Sequence, residues 1–368
     1  MGRSIAPAPK SLTRHGLRQR ILSITERLRI ERYGSSWLKW TFALIAMCFW
    51  TLSVQAQEAC GLQAATFDII FKYGFETSAA GLGPPLGTVN PPALGVTPTI
   101  TITSPTGGAT LPGDGVQVVG TVSGPADTGV AVNGVPAQIV GGQFVTPRFV
   151  LQDGSNTLTA VATTIDGLTA TSAITITANA SSAVVALVTD AQVGYAPTSA
   201  GFSASVPSSI IVQNISLAYG DGATYSGTGP IPRHTYATAG IFKANLTITD
   251  TTSHVYTSSR TIAAVDFAAQ RQTLCSVYAH LRSRMAVSDV PGALYAFQNK
   301  HRQKYLTLFN ALGVNLPAAA ARLGVIGNGT IGLTTAELFL ILEQAGQVNA
   351  YPLHMAMDGS GVWRIDAM

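Results

Sequence analysis

Asp221 is the residue with the clearest capacity for chemistry in this sequence, because it stands between Gly220 and Gly222 in a predicted loop. A carboxylate in such a loop binds calcium when further carboxylates converge on it. The nearest acidic residues, Asp190 and Asp250, are far away along the chain. We therefore predict a structural turn, in which the glycines adopt positive φ and Asp221 bonds its own backbone.

Two residues near the C-terminus, Asp289 and His354, have side chains that can act as a general base in an apolar cavity. Asp289 stands where a helix cap is expected, and a lone His is more often structural than catalytic. The six His residues lack zinc-site spacing, and the sequence contains no Walker loop, dinucleotide-binding glycine pattern or Gly-x-Ser-x-Gly elbow. We predict no catalytic residue, no metal and no cofactor.

The chain has three cysteines, of which Cys48 lies inside a predicted leader. Cys60 and Cys275 can form a disulfide in an oxidising compartment, and two unpaired thiols are the alternative, since spacing does not reveal pairing across domains. Cys60 also raises the alternative of a lipoprotein. The preceding residues 57–59 match the residues before a lipidated cysteine poorly, so this alternative is disfavoured.

Residues 1–56 have the three-part layout of a secretory signal. A long basic stretch ends at Lys39, an apolar run occupies residues 40–54, and Val54 and Ala56 provide the small residues before a predicted cleavage after Ala56. The run is shorter than the ~20 residues of a membrane-spanning helix, so cleavage is favoured over an anchor formed by residues 40–54. We expect a secreted or extracytoplasmic protein, in the periplasm, at the outer surface or in the medium.

The basic character of the chain is concentrated at its beginning. The formal net charge is +4 over 368 residues, but residues 1–40 hold nine of the 22 basic side chains. The remainder is slightly acidic and gives no support for nucleic-acid binding. Charged residues are only 11%, and the abundance of Gly, Ala, Val, Thr and Ser is typical of short strands joined by tight turns.

Residues 57–97 form a predicted N-terminal segment. A short aromatic patch at 67–75 is followed by a Pro- and Gly-rich stretch without apolar periodicity. Such a stretch is typical of an extended linker, so the folded modules are predicted to begin near residue 98.

Residues 98–179 alternate apolar and polar residues between turn dipeptides, which predicts an antiparallel β-sandwich of about seven strands. Asn133 and Gly134 predict a tight hairpin, and Gly154 and Asn156 mark a turn before an inner strand. Through residues 102–105 (ITSP), 132–136 (VNGVP) and 154–158 (GSNTL), this region resembles the bacterial Ig-like module of glucodextranase-type enzymes. The resemblance implies a scaffold without chemistry.

Residues 184–265 resemble a polycystic-kidney-disease-type (PKD) module, another sandwich. The resemblance rests on residues 219–222 (YGDG), 234–242 (HTYATAGIF) and the alternating strand 243–250 (KANLTITD). The structural residues that it implies are Gly220, Asp221, Gly222, His234, Tyr236 and Gly240. Leu217 stands where the family usually has Trp, so the core of this copy must pack differently.

Residues 267–368 change to a helical pattern followed by strands, which predicts a small α+β domain. A first helix is expected over 268–286, a second after the cap at 288–289, a third around 305–312 and a fourth over 316–323. Residues 324–332 read as a turn-rich break, and three strands are expected at 338–342, 350–357 and 362–368.

The C-terminal domain also resembles, through residues 288–294 and 361–365, the cone-shaped fold of nuclear transport factor and steroid isomerases. That fold can hold a ligand or an active site in its cone. Trp363 is expected to pack the last strand on the first helix. The basic cluster Lys300, His301, Arg302 and Lys304 is expected to solvate a helix, with contact to an acidic polymer or anionic lipid as the sharper alternative.

The predicted fold class is therefore a multidomain, mainly β protein, with two tandem Ig-like antiparallel sandwiches followed by a small α+β domain. The favoured function is an exported surface or envelope protein whose sandwiches act as spacers or as contact surfaces for an unidentified protein or glycan, with no nucleic-acid partner. One alternative is ligand binding or enzymatic activity confined to residues 267–368. Another is a purely structural subunit of an envelope assembly.

Overall fold

The computed structural model of the chain describes residues 89–112, 115–179, 185–344 and 347–368. The predicted signal (1–56), its alternative anchor (40–54), the aromatic patch (67–75) and Cys60 lie outside the described residues. Three regions with separate apolar cores follow one another, and all described residues belong to one compact unit. None of the helices in the described ranges is both long and apolar enough to span a membrane.

The first region is a β-sandwich built from two sheets. One sheet has the order β1-β3-β7-β6 and the other β2-β9-β8-β4-β5, and every pairing is antiparallel except that of β2 with β9. Ile102 and Phe144 from the first sheet pack with Leu158 and Ile176 from the second in one buried core. The strands are β1 (Thr99–Ser104), β2 (Thr110–Pro112), β3 (Val119–Ser123), β4 (Gly129–Val132), β5 (Val135–Pro136), β6 (Gln138–Val140), β7 (Gln143–Val145), β8 (Gly154–Thr163) and β9 (Thr169–Asn179).

The predicted hairpin at Asn133 and Gly134 joins β4 to β5, with φ of 49° and 78°. Asn tolerates this left-handed conformation better than most residues, and Gly adopts it without strain. The Asn133 side chain accepts a hydrogen bond from Thr159 N at 2.8 Å and donates one to Thr157 O at 3.0 Å. Asn156 similarly donates to Gln152 O at 2.7 Å, so both side chains fix turns beside β8.

The second region is also a sandwich, and its largest sheet has the order β11-β18-β17-β14-β15. Two-stranded sheets, β10-β13 and β12-β16, complete it around a core that contains Leu187, Leu217, Tyr236 and Ile248. The strands are β10 (Ala186–Thr189), β11 (Val193–Tyr195), β12 (Thr198–Ala200), β13 (Phe202–Ser205), β14 (Val212–Ala218), β15 (Thr224–Gly227), β16 (His234–Tyr236), β17 (Gly240–Asp250) and β18 (Val255–Val265).

The third region packs helices on an antiparallel meander of order β19-β20-β21-β22. Asp266 caps the first helix by accepting a hydrogen bond from Ala268 N at 2.8 Å. Trp363 is buried in the same core as Leu274 of the first helix. The elements are α1 (Phe267–Ala286), α2 (Val290–Leu294), α3 (Asn299–Leu312), a 3-10 turn (Gly313–Asn315), α4 (Leu316–Arg322), β19 (Val325–Ile331), β20 (Thr335–Gln344), β21 (Gln347–Met357) and β22 (Trp363–Ala367).

The expected turn-rich break at 324–332 is wrong, because this segment is the strand β19 and the meander has four strands instead of three. Ile326 and Ile331 are buried in the core and supply its apolar contacts. The pairing with β20 shifts register between Ile326 and Gly329, where an added Cβ would lie 2.2 Å from Glu337 O. Gly329 therefore marks a β-bulge inside the strand β19.

The end of the predicted linker packs against the folded regions. Val89 and Leu94 contact the core of the C-terminal domain, and Pro92 is buried. Gly95 N donates to Asp166 Oδ2 at 2.8 Å. At least residues 89–97 are thus part of the packed structure and do not act as a free spacer.

Candidate functional site

The sequence-predicted Asp221 motif forms a closed cluster in the second sandwich. Gly220 and Gly222 have φ of 93° and 99° on either side of Asp221, whose Oδ1 accepts a hydrogen bond from Ala223 N at 3.1 Å. His234 Nε2 lies 2.6 Å from Asp221 Oδ2. Burial alone would raise the pKa of Asp221, but the bonds from His234 and Ala223 N hold it below its usual value.

Tyr236 extends this cluster into the core. Its hydroxyl donates to Tyr219 O at 3.0 Å, and its ring is stacked on Phe242 with centroids 4.7 Å apart. The His234 ring is stacked on Tyr219 at 4.0 Å. Leu217, which the resemblance places where the family usually has Trp, is fully buried. The side chains of Asp221, His234 and Tyr236 thus bond within the module, an arrangement that supports the fold of the sandwich.

Gly240 begins β17, where an added Cβ would lie 2.8 Å from the Phe242 ring, and Gly154 begins β8. Cys275 is buried in α1 and disulfide-bonded. Cys60 lies outside the described residues, so the pairing of Cys60 with Cys275 stays a prediction.

The two candidate bases of the C-terminal domain have local roles. Asp289 Oδ1 caps α2 by accepting from Gly292 N at 2.9 Å, and its other oxygen lies 3.6 Å from Arg284 Nη1. His354 Nδ1 lies 3.9 Å from Glu337 Oε1 on a largely exposed part of the sheet. The described ranges contain no group of three or more His, Cys, Asp or Glu side chains arranged to hold a metal ion.

A cleft of about 590 Å³ lies between the first sandwich and the C-terminal domain. Its lining residues come from three segments: 163–167 of the sandwich, and 295–302 and 358–364 of the C-terminal domain. We call it the junction cleft. Most of its lining residues are polar or charged.

Arg364 is the buried centre of the junction, only 5% exposed. Its Nε donates to Asp358 Oδ2 at 2.6 Å, and its Nη1 donates to Ile165 O of the sandwich at 3.1 Å and to Tyr295 O. Burial alone would raise the pKa of Asp358, but the bonds from Ser360 and Arg364 lower it. The ion pair holds Arg364 against Asp358 within the C-terminal domain, and the bond to Ile165 O links Arg364 to the neighbouring sandwich.

The sandwich wall of the junction cleft carries Asp166, which accepts hydrogen bonds from Gly95 N and the Thr164 hydroxyl. Behind it, Asp127 is 1% exposed and accepts from Ile165 N at 2.5 Å, while its Oδ1 lacks a hydrogen-bond partner. Burial raises the pKa of Asp127 above its ordinary value. Asp166, in contrast, has a lowered pKa because hydrogen bonds outweigh its partial burial.

The opposite wall is built by the start of α3. Lys300 Nζ forms an ion pair with Asp366 at 2.6 Å. Arg302 Nε donates to Phe297 O at 3.2 Å, and its guanidinium carbon lies 5.8 Å from the Tyr295 ring centroid. Burial, together with the nearby Arg364 cation, lowers the pKa of Arg302. The predicted basic cluster is thus divided, since Lys300 and Arg302 line the cleft and Lys304 does not.

Close backbone contacts fix the walls relative to each other. An added Cβ at Gly129 of β4 would lie 2.2 Å from the backbone carbon of Gly361, and one at Gly361 would lie 2.4 Å from Val130 O. Gln117 of the first sandwich pairs with the Thr261 backbone of the second through bonds of 2.9 and 2.8 Å. Tyr195 of the second sandwich donates to Gly332 O of the C-terminal domain at 2.8 Å.

Sequence reasoning missed the junction cleft because its residues come from three distant segments with no shared motif. Asp166 reads as an ordinary Asp-Gly turn, and Asp358 as part of a hairpin. The basic cluster that includes Arg302 was the only signal, and its connection to the first sandwich appears only in the fold.

Comparison with known families identifies the two sandwiches. Residues 98–180 match the model described as glucodextranase, domain B, and residues 187–265 match the PKD domain model. These matches confirm the predicted order of an Ig-like module followed by a PKD module. Both end before the C-terminal domain, whose resemblance to the cone-shaped fold stays a prediction. No curated protein matches the sequence.

Similar solved structures share little with the chain as a whole. Fibronectin(III)-like modules of CbhA from Clostridium thermocellum have 14% identity and a TM-score of 0.20, covering 46% of this chain and 95% of theirs. Cadherin domains 3–6 of protocadherin gamma B2 have 13% identity and a TM-score of 0.19, and the match covers 46% of this chain and 51% of that structure. Bacteroides ovatus SGBP-B, solved with a mixed-linkage heptasaccharide, has 13% identity and a TM-score of 0.17, and the match covers 46% of this chain and 47% of that protein. Scores this low carry no functional argument.

Proposed function

We propose that this chain is an exported envelope or surface protein that binds a protein or glycan partner in the junction cleft. The observation that carries the proposal is the cleft itself, a concavity whose walls come from two modules joined by the hydrogen bond from buried Arg364 to Ile165 O. Binding sites commonly form at domain interfaces of this kind.

Three features support export. Residues 1–56 have the layout of a secretory signal, Cys275 is disulfide-bonded, and disulfides persist mainly in oxidising compartments. The Ig-like and PKD modules fit an extracytoplasmic modular protein. We expect the purified exported chain to begin at Gln57, which N-terminal mass spectrometry would test; retention of residues 40–54 would support an anchored protein instead.

The sandwiches act in this proposal as a rigid support for the C-terminal domain. The Gly129–Gly361 backbone contact and the Gln117–Thr261 pairing leave little freedom between modules, which favours support over a flexible spacer. A binding role is also favoured over catalysis. Leu274, Phe297 and Trp363 fill the interior of the C-terminal domain, while Asp289 caps a helix.

The binding experiment compares the full chain with a variant in which the cleft is blocked. Gly359 lines the cleft, and a Cβ added there meets no atom within 4 Å, so Gly359→Trp projects an indole into the opening without displacing the backbone. Ser208→Trp, on an exposed turn of the second sandwich, is the matched control. Both are immobilised and exposed to solubilised envelope extract and to an array of surface glycans.

The proposal predicts that Gly359→Trp loses the partner that the wild type and Ser208→Trp retain. Equal retention by all three proteins would move the binding surface away from the cleft. Recovery of a stable complex that is indifferent to Gly359→Trp would favour the structural-subunit alternative, and substrate turnover that needs residues 267–368 would favour the enzymatic alternative.

A further inference from the structure

The lining of the junction cleft offers many polar groups that a hydrophilic ligand can bind. Ile165 and Tyr295 are the only lining side chains with a large apolar surface, and the others are glycines or polar and charged residues. An apolar ligand would leave these polar groups without partners, which costs free energy. A ligand rich in hydroxyl groups can replace the water on both walls.

Two of the three cations that line the cleft form ion pairs within the described ranges, and the third does not. Lys300 is paired with Asp366, and Arg364 with Asp358. Arg302, by contrast, has no carboxylate within 4.0 Å among the described residues, and its bond from Nε to Phe297 O leaves the two terminal nitrogens of the guanidinium group available. The Tyr295 ring, 5.8 Å away, helps to hold this group in place.

The planar guanidinium group matches two kinds of anion, carboxylates and phosphates. Its planar fork donates two parallel hydrogen bonds to a carboxylate, and such charge-assisted pairs are among the strongest hydrogen bonds in proteins. Arg302 therefore offers a site for a single negative charge at the wall formed by α3.

The opposite wall restricts the rest of the ligand. Asp166 uses its two oxygens for Thr164 and Gly95 N, and each carboxylate oxygen retains a further acceptor position. Asp166 would repel a multiply charged anion such as a phosphate monoester, but it can accept hydrogen bonds from hydroxyl groups. The two walls together fit a ligand that has both a carboxylate and neighbouring hydroxyls.

We infer that the junction cleft binds a sugar that carries a carboxylate, such as a uronic or sialic acid residue of an acidic glycan. The carboxylate pairs with Arg302, and the ring hydroxyls bond Asp166 and the polar side chains at the start of α3. This inference rests on the proposed binding function of the cleft and adds the chemical class of its ligand.

The test is calorimetric titration of the full exported chain with defined oligosaccharides. The probes are galacturonic acid trisaccharide, glucuronic acid trisaccharide and sialyllactose, each paired with a neutral counterpart of the same length, and inorganic phosphate. At least one acidic probe is expected to bind about tenfold or more tightly than its neutral counterpart, with an affinity that falls as salt rises. Equal affinities across every pair, or tighter binding of phosphate, would overturn the inference.

Substitutions on α3 locate the charge that is responsible. Arg302→Gln should weaken binding of the acidic probe about tenfold while leaving the neutral probe unchanged, and Arg302→Lys should recover part of the loss. Lys304→Gln is the matched control, since Lys304 is exposed on the same helix but does not line the cleft. Far-UV circular dichroism and thermal melting of each variant exclude unfolding as the cause.

Comparison with Gly359→Trp separates this inference from the function on which it rests. If Gly359→Trp removes binding and Arg302→Gln does not, the cleft binds a ligand but the carboxylate pairing is wrong. If neither variant affects binding of any probe or extract component, the proposed function of the cleft fails as well.

Discussion

The Asp221–His234 cluster of the PKD module and the junction around Arg364 both pair charged side chains that the fold partly or wholly removes from water. They differ in how far apart along the chain the partners lie. Asp221 and His234 are thirteen positions apart in the same sandwich and pair at 2.6 Å. Arg364 joins Asp358, Tyr295 and Ile165, the last of which is 199 positions away in another module. Polar groups can thus stabilise a module internally or join modules, and in this chain a cleft lies beside the second arrangement.

This difference predicts different consequences for stability. A change inside the PKD cluster should weaken one module, whereas a change at the junction should weaken two. Trp363 is the only Trp that follows residue 56, so its fluorescence reports on the junction side of the exported chain.

Arg364→Met should have the largest effect, a loss of about 4 kcal/mol in the free energy of unfolding, because it removes the cation that pairs with Asp358 Oδ2 and the donor to two carbonyl groups. Urea unfolding followed by Trp363 fluorescence measures this loss. Arg322→Met, on the exposed end of α4, serves as the control. A loss below about 1 kcal/mol for Arg364→Met would show that Arg364 does not hold the modules together.

Ile165→Ala should cost about 3 kcal/mol, because it leaves a cavity in the core of the C-terminal domain although Ile165 belongs to the first sandwich. The expected result is reduced hydrogen-exchange protection in α1 and β22. Ile176→Ala, in the sandwich's own core, should instead reduce protection mainly in β8 and β9. Equal patterns for the two variants would contradict a shared core at the junction.

Tyr236→Phe should cost about 1 kcal/mol, because it removes only the hydrogen bond to Tyr219 O and keeps the ring contacts. Hydrogen exchange should speed up in β16 and β17, while the midpoint of the urea unfolding transition followed by Trp363 fluorescence stays unchanged. A displaced Trp363 transition would mean that the PKD cluster also supports the junction.

Asp127→Asn should have the smallest effect, a gain of up to about 1 kcal/mol at neutral pH. The pKa of Asp127 is raised in the folded state. Its contribution to the free energy of unfolding is therefore fully present below the unfolded-state pKa of about 3.9 and is lost as pH rises through the folded-state pKa. Asn keeps the acceptor for Ile165 N without the charge. Thermal melts at neutral and strongly acidic pH test this, and a gain that persists at low pH would exclude desolvation as its cause.

The sequence was sufficient for features that depend on local patterns. Alternating residues in β17 and the Asn133–Gly134 turn revealed both sandwiches, and the Asp266 and Asp289 caps agree with the predicted helix starts. The β19 strand was missed, because Gly327 and Gly329 resemble a break when the β-bulge they form is not visible. The junction cleft could not be predicted, since no local rule brings Asp166, Arg302 and Asp358 together.

The contact of Ile165 with the C-terminal core has a practical consequence for dividing this protein into parts. The match to the first family model ends at residue 180. A fragment cut there would expose the Ile165 side chain to solvent and uncover the surroundings of the buried Asp127 carboxylate. Such a fragment would be prone to self-association through its new apolar patch. A piece that keeps these groups covered extends from residue 89 to the last strand.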